Sequence, residues 1–208
     1  MFLLASVASS RGTIVYTYDF PGTPTGSGRA ADQTNPAPPF TKFLDWNRVG
    51  LMEGTMPDVW DSTGFSTGGK IDTTQYTSFS IMADDGWHLN IQSFKFDQQK
   101  TKNGPKNGRV EMFVNGTLFD TFNYGPTANF SNKNANFKSV DKDNATTVEF
   151  RFYGWNASVA SDSLLLDNVA ITLDVIPEWD AGAISAIFLA AILAHSLITK
   201  RRTQLPVG

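Results

Sequence analysis

The feature that most constrains the fold is an alternation of apolar and polar residues that recurs along the chain. It is clearest over 13–20, 76–81 and 88–96. Because successive side chains of a strand point to opposite faces, this pattern predicts strands with one buried and one exposed face. No helical pattern separates these segments. The body of the protein is therefore predicted to be all-β.

A hairpin is predicted where Asn115-Gly116 separates two alternating runs. This dipeptide suits a two-residue type I′ turn, which needs positive φ at both central residues. Two later strands are predicted over 147–154 and 163–173. Strands at this spacing predict a two-sheet antiparallel sandwich. The segment 21–61, rich in glycine and proline, is predicted to be mostly loop.

Composition excludes several classes of site. The chain contains no cysteine, which rules out disulfides, thiolate metal sites and a cysteine nucleophile. The formal net charge is −3, and three of the cations stand together near the C-terminus. A mildly acidic body lacks the clustered cations that nucleic-acid backbones require. We therefore expect no nucleic-acid partner.

An uncharged, largely apolar run occupies residues 181–199. As a helix it would be about 28 Å long, close to the thickness of the hydrocarbon core of a bilayer. Acidic residues precede it and three cations follow it, which by the positive-inside rule places the body outside the cytoplasm. The alternative is a buried helix of a soluble fold, which should show a polar stripe. A single C-terminal transmembrane helix is predicted.

The ends of this run resemble the PEP-CTERM sorting tail of bacterial exosortase substrates. The residues that carry the resemblance are Pro177, Glu178, Lys200, Arg201 and Arg202. The resemblance implies that residues 176–208 form a transient membrane anchor. An exosortase-like protease would cut it near Pro177-Glu178 on the outer face, leaving the body on the cell surface or in the extracellular space.

Residues 1–10 contain a short apolar run followed by small residues, with Ala8 at a plausible cleavage position. We interpret them as the remnant of a signal peptide. The alternative is an ordinary first strand. The predicted organisation is a signal remnant at 1–10, a β-sandwich domain at 11–175 and a sorting tail at 176–208. The predicted location is the cell envelope, after export across the inner membrane.

Several segments of the body resemble the jelly-roll domains common in PEP-CTERM proteins. They are 84–87, 94–97, the Asn-Gly-Pro loop at 103–105, 149–155 and 166–169. These domains are similar in shape to carbohydrate-binding modules. The resemblance implies a jelly-roll sandwich over 13–173, in which the strand with Leu-Asp-Asn-Val pairs beside the first strand. It also implies that the aspartate of that strand helps to hold a structural calcium ion.

The candidate calcium ligands are Asp19, at the end of the first predicted strand, and Asp167 in the last. Calcium takes six to eight oxygen ligands, among which carboxylates are common. The alternative is structural: Asp19 would begin a turn, and Asp167 would bond backbone amides. No other cofactor is predicted.

Exposed aromatic rings are the candidates for sugar binding, because their apolar faces can stack on pyranose rings. We select Trp46, Trp60, Trp87 and Trp155. The alternative is that these rings pack in the core or at the rim of the sandwich.

The sequence contains few residues in patterns typical of catalytic sites, and the protein is predicted not to be an enzyme. The body has one histidine, His88, and neither Gly-x-Ser-x-Gly nor a histidine pair occurs. Asp84-Asp85 is most simply a polar turn.

We expect a non-enzymatic cell-surface or extracellular-matrix protein, sorted by its tail, that binds exopolysaccharide. The alternative is a secreted glycoside hydrolase or lyase on the same fold.

Overall fold

The computed structural model describes residues 13–20, 32–33, 39–138, 140 and 145–177. The chain divides into two compact units, Met1–Ile176 and Pro177–Gly208. The predicted signal remnant, the predicted transmembrane helix, Glu178, Lys200, Arg201 and Arg202 lie outside the described residues. Pro177 ends the last strand. Within the described ranges there is no helix with the length and apolar character needed to cross a membrane.

The first sheet has seven strands in the order β11-β8-β13-β1-β2, with β6 paired to β13 and β5 paired to β6. Its strands are β1 (Ile14–Asp19), β2 (Asp32–Gln33), β5 (Met52–Glu53), β6 (Trp60–Thr63), β8 (Trp87–Lys100), β11 (Ser131–Ala135) and β13 (Leu164–Pro177).

The second sheet has six strands in the order β10-β9-β12-β7-β3, with β4 also paired to β7. Its strands are β3 (Thr41–Phe43), β4 (Asn47–Val49), β7 (Tyr76–Ala83), β9 (Asn107–Val114), β10 (Thr117–Tyr124) and β12 (Thr147–Trp155).

The predicted all-β, two-sheet antiparallel sandwich is confirmed. From β7 onward, every connection crosses to the other sheet except the β9–β10 hairpin. This is the connectivity of a jelly roll. The last strand lies antiparallel to the first, with Tyr16 opposite Ile171 and Tyr18 opposite Val169. The first and last long strands therefore lie side by side in the middle of the seven-stranded sheet.

The core between the sheets is dominated by aromatic rings on the inward positions. Phe94 of β8 stacks on Phe150 of β12, with ring centroids 4.3 Å apart and nearly parallel planes. Phe79 of β7 stacks on the same Phe150 ring at 5.2 Å. In β8 the inward positions change from odd to even numbers between Ile91 and Phe94. Such a change requires an extra residue in the strand, as in a β-bulge.

The predicted hairpin is present. β9 ends at Val114 and β10 begins at Thr117, and Asn115 and Gly116 have φ values of 50° and 78°. The Asn115 side-chain oxygen also accepts hydrogen bonds from the backbone amides of Thr146 and Thr147, at 3.1 and 3.0 Å. The turn is thereby attached to the start of β12.

The segment predicted to be mostly loop contains short strands. Four of them, β3 to β6, lie between 41 and 63. They are two to four residues long, too short for an alternating pattern to be visible in the sequence. They extend both sheets. Of the four tryptophans selected above, Trp60 lies on β6 and Trp46 directly precedes β4.

Trp46 and Trp60 lie in the core, with 0% and 1% of their surface exposed. Trp60 donates a hydrogen bond through Nε1 to Thr77 Oγ1 at 2.6 Å, and the Arg48 guanidinium lies 3.8 Å from its ring centroid. Arg48 also donates to the carbonyl oxygen of Asp61 at 2.7 Å. The prediction that Trp46 and Trp60 bind sugar is therefore wrong, because no ligand reaches a ring packed on all sides.

Replacing Trp46 with alanine should lower the free energy of unfolding by about 3–5 kcal/mol, since it removes a large buried ring and leaves a cavity. Chemical denaturation with fluorescence or circular dichroism measures this loss. Leu118→Ala is the control, because Leu118 is exposed and its truncation should change stability by less than about 0.5 kcal/mol. Equal losses in the two variants would contradict the assignment of Trp46 to the core.

Candidate functional site

The outer face of the six-stranded sheet carries an unusual concentration of aromatic and charged side chains. Since Val110, Met112, Phe150 and Phe152 point into the core, the residues between them point outward. We call this set the outer-face platform. It comprises Tyr76 of β7, Arg109, Glu111 and Phe113 of β9, and Glu149, Arg151, Tyr153 and Trp155 of β12.

Strand register brings these side chains into rows that cross the sheet. Arg151 lies opposite Glu111 on β9 and opposite Ser78 on β7. Tyr153 lies opposite Arg109. Adjacent strands are about 4.8 Å apart, so neighbours within a row are in side-chain contact. The platform is therefore a continuous surface built from three separate parts of the chain.

Arg151 occupies the centre of the platform. Its guanidinium carbon lies 4.0 Å from the ring centroid of Phe113 and 4.9 Å from that of Tyr76. Its Nη2 donates to Glu149 Oε2 at 2.7 Å. The hydrogen bond to Glu149 raises the pKa of Arg151 above its usual value. The guanidinium is thus permanently charged and held between two rings, which removes most of its conformational freedom.

Arg109 forms a second charged pair beside the first. Its Nη1 lies 3.4 Å from Glu111 Oε1, and its Nε donates to the side-chain oxygen of Asn123 at 2.8 Å. Its guanidinium carbon is 5.9 Å from the ring centroid of Trp155. With two arginines and two glutamates, the outer-face platform has no net formal charge. It can offer donors and acceptors without attracting ions of either sign.

Tyr153 forms the base of the platform. Only 2% of its surface is exposed, and its ring centroid lies 5.5 Å from that of Tyr76. Burial, reinforced by the negative charge of Glu111, raises the pKa of Tyr153 to about 12. The phenol therefore stays neutral at physiological pH.

Trp155 is the one selected tryptophan that joins the platform. It ends β12, lies opposite Asn107 and forms an isolated bridge with Ser66. Its side chain is partly exposed. At about 3.3 Å per residue, Glu149 and Trp155 are roughly 20 Å apart along β12. The platform is long enough to contact several consecutive units of a chain-like ligand.

Trp87 lies outside this platform. It opens β8 in the other sheet and stacks on Phe40 with ring centroids 4.0 Å apart. The neighbouring Asp84 and Asp85 form a turn in which the Trp87 amide donates to the Asp84 carbonyl oxygen at 3.1 Å. His88 is buried in the same strand.

The two predicted calcium ligands lie on paired strands, β1 and β13. Asp167 Oδ1 accepts the backbone amide of Asn168 at 2.8 Å, and Asn168 has a positive φ of 47°. This is the structural role set out as the alternative. Asp19 ends β1 opposite Asp32, and its side chain lies outside the described part of the structure. Among the described residues, no three acids or histidines form a metal-binding group, and the calcium site stays a prediction.

Most residues of the platform were not selected from the sequence. The missed residues are Tyr76, Arg109, Glu111, Phe113, Glu149, Arg151 and Tyr153. A signal exists within β12: at 149–153, Glu149, Arg151 and Tyr153 alternate with phenylalanine, so the face opposite the core carries two charged side chains and a tyrosine. The combination of three strands into one surface depends on pairing that the local sequence does not encode.

No family model matches the chain, and no curated protein matches it. Among solved structures, the chain is similar to carbohydrate-binding modules. One, described as "CBM4 structure and function", is 15% identical over 62% of this chain and 86% of its own, with a TM-score of 0.45. A family 29 module, the CBM29-2 mutant D83A complexed with mannohexaose, is 10% identical over 77% and 92%, with a TM-score of 0.42. At these identities the likeness does not extend to the residues of a site.

The raised pKa of Tyr153 predicts how stability changes at alkaline pH. Between pH 10.0 and about 12 the folded chain keeps a proton that the unfolded chain loses, so stability should fall as pH rises through this window. Urea denaturation from pH 9 to 12 measures the slope. Tyr153→Phe should make it shallower. Some slope should remain, because burial also raises the pKa of Tyr18 and Tyr124. Identical slopes in variant and parent would contradict the prediction.

Proposed function

We propose that this protein is a non-enzymatic polysaccharide-binding protein, and that the outer-face platform is its binding surface. One observation supports this most strongly: Arg151 is held between Phe113 and Tyr76 on an outer face, with its charge matched by Glu149. A side chain ordered in this way before any ligand arrives costs little further entropy on binding.

The chemistry of the platform fits uncharged sugars. A pyranose has an apolar face and a rim of hydroxyls, which call for flat aromatic surfaces beside hydrogen-bonding groups. The platform has both, with partly exposed rings at Tyr76, Phe113 and Trp155 next to two arginine–glutamate pairs. Its lack of net charge favours a neutral polysaccharide over an acidic one, since neither guanidinium is left without a carboxylate.

Binding can be measured by affinity electrophoresis of the full chain in gels that contain one polysaccharide each. The neutral panel is hydroxyethyl cellulose, glucomannan, xylan and glycol chitin, and the acidic panel is alginate and polygalacturonate. We expect retardation by at least one neutral polysaccharide. Tyr76→Ala and Trp155→Ala should each weaken it at least about tenfold, as expected when an aromatic side chain central to an interface is lost.

Phe130→Ala is the matched control, because Phe130 is an exposed aromatic residue outside the platform. It should leave retardation unchanged. Retardation by the acidic panel alone would contradict the assignment to neutral sugars. Release of reducing ends from any polysaccharide would contradict the non-enzymatic assignment and favour a carbohydrate-active enzyme. An absence of binding across both panels would end the proposal.

We also propose that the chain is exported to the cell envelope and anchored by residues 176–208, with cleavage near Pro177-Glu178 by an exosortase-like protease. The support is the uncharged run at 181–199 with acids before it and Lys200, Arg201 and Arg202 after it. This placement would bring the binding surface to the polysaccharide outside the cell.

Fractionation of the host tests the proposed sorting. The full chain should be found in the envelope or the medium, and mass spectrometry of its mature C-terminus should end near Pro177-Glu178. A variant that lacks 177–208 should lose envelope attachment. An intact tail on the mature protein would contradict cleavage and leave a plain membrane anchor.

A further inference from the structure

A second partly exposed aromatic surface lies at the far end of β7 from Tyr76. It consists of Phe40, which precedes β3, and Trp87, which opens β8, and we call this pair the tip stack. The two rings have centroids 4.0 Å apart and planes within 8° of each other. Nearly half of Phe40, 46%, is exposed to solvent.

Two backbone hydrogen bonds hold the tip stack in place. The amide of Trp87 donates to the carbonyl oxygen of Asp84 at 3.1 Å, closing a turn in which Gly86 has a φ of 78°. The amide of Asp84 then donates to the carbonyl oxygen of Phe40 at 2.9 Å. The two aromatic residues are thus fixed to each other through their backbones as well as their rings.

Phe40 occupies a backbone conformation that disfavours it. Its φ is 66°, in the left-handed region, where a bulky side chain is strained and glycine or asparagine is not. Packing against Trp87 offsets part of this strain, but the exposed half of the ring gains nothing from burial. An exposed aromatic ring at a strained position is poorly explained by stability alone.

Polar groups flank the tip stack. Lys42 and Asp84 lie beside it as an exposed ion pair with 3.9 Å between Nζ and Oδ1. Lys42 in turn lies opposite Met82, whose side chain is partly exposed. A flat apolar surface bordered by a donor and an acceptor is the combination that the outer-face platform also presents. The plainer alternative is that the two rings only cover the open end of the core.

We infer that the tip stack is a second binding surface for neutral polysaccharide, which makes the domain bivalent. The inference rests on the proposed function for its ligand class. Along β7, Tyr76 lies roughly 20 Å from the tip stack, whereas Glu149 and Phe113, in the row of Ser80, lie about 10 Å from it. A polysaccharide chain held at Tyr76 and Trp155 is therefore far enough from the tip stack for one molecule to join two polysaccharide chains or two parts of one chain.

The decisive variant is Phe40→Gly, which removes the ring and relieves the backbone strain. Phe40→Asn is the second variant, because asparagine also tolerates positive φ. Phe130→Ala is again the control. Each full-length variant is mixed with the soluble neutral polysaccharides of the panel, and cross-linking is followed by light scattering. Melting temperature and gel retardation are measured in parallel.

We expect the parent chain to raise the scattering of the polysaccharide it binds. Both Phe40 variants should lose this effect and bind long chains at least about tenfold more weakly, since avidity needs two surfaces. Their melting temperatures should match or exceed that of the parent. Tyr76→Ala should abolish cross-linking too, whereas Phe130→Ala should not.

The other outcomes separate the two proposals. Binding without cross-linking, or cross-linking that survives both Phe40 variants, would overturn the tip stack as a binding surface and leave the proposed function in place. A large fall in melting temperature with unchanged scattering would assign the rings to the core. If the parent chain binds no polysaccharide, both proposals are overturned.

Discussion

The structure depends on the packing of aromatic rings between the two sheets, above all the stack of Phe94 on Phe150. Because side chains alternate along a strand, placing Phe150 and Phe152 in the core also places Glu149, Arg151 and Tyr153 on the outer face. A slip of one residue would exchange the two sets. The core and the outer-face platform are therefore specified by the same register, and burial of the phenylalanines orders the platform.

The charged side chains of the outer-face platform are held in fixed positions by their neighbours. Exposed ion pairs contribute little to stability, because solvent screens them and ordering their side chains costs entropy. Here the arginines lie against rings, and Glu111 is buried beneath them. These contacts restrict the arginine and glutamate side chains more than the side chains of exposed ion pairs are usually restricted. The tip stack is similar, since Phe40 is held at positive φ with much of its ring in water.

The four tryptophans show where sequence patterns can predict whether a side chain is buried or exposed and where they cannot. Four were selected as candidate sugar contacts, and two of them, Trp46 and Trp60, are in the core. They lie on or beside strands of two to four residues, where no alternation indicates which side faces inward. Trp155 follows the predicted strand at 147–154; the structure extends that strand to Trp155 and places the ring on the outer face, where sugar binding stays a prediction.

The sequence by itself determined the long strands, the antiparallel sandwich and the Asn115-Gly116 hairpin, because alternation and turn chemistry are properties of neighbouring residues. Only the tertiary structure decided which surface became the platform. Tyr76, Phe113 and Arg151 are far apart along the chain and meet only because β9 and β7 pair on either side of β12. Such pairing depends on long-range burial of the aromatic core, which local patterns do not specify.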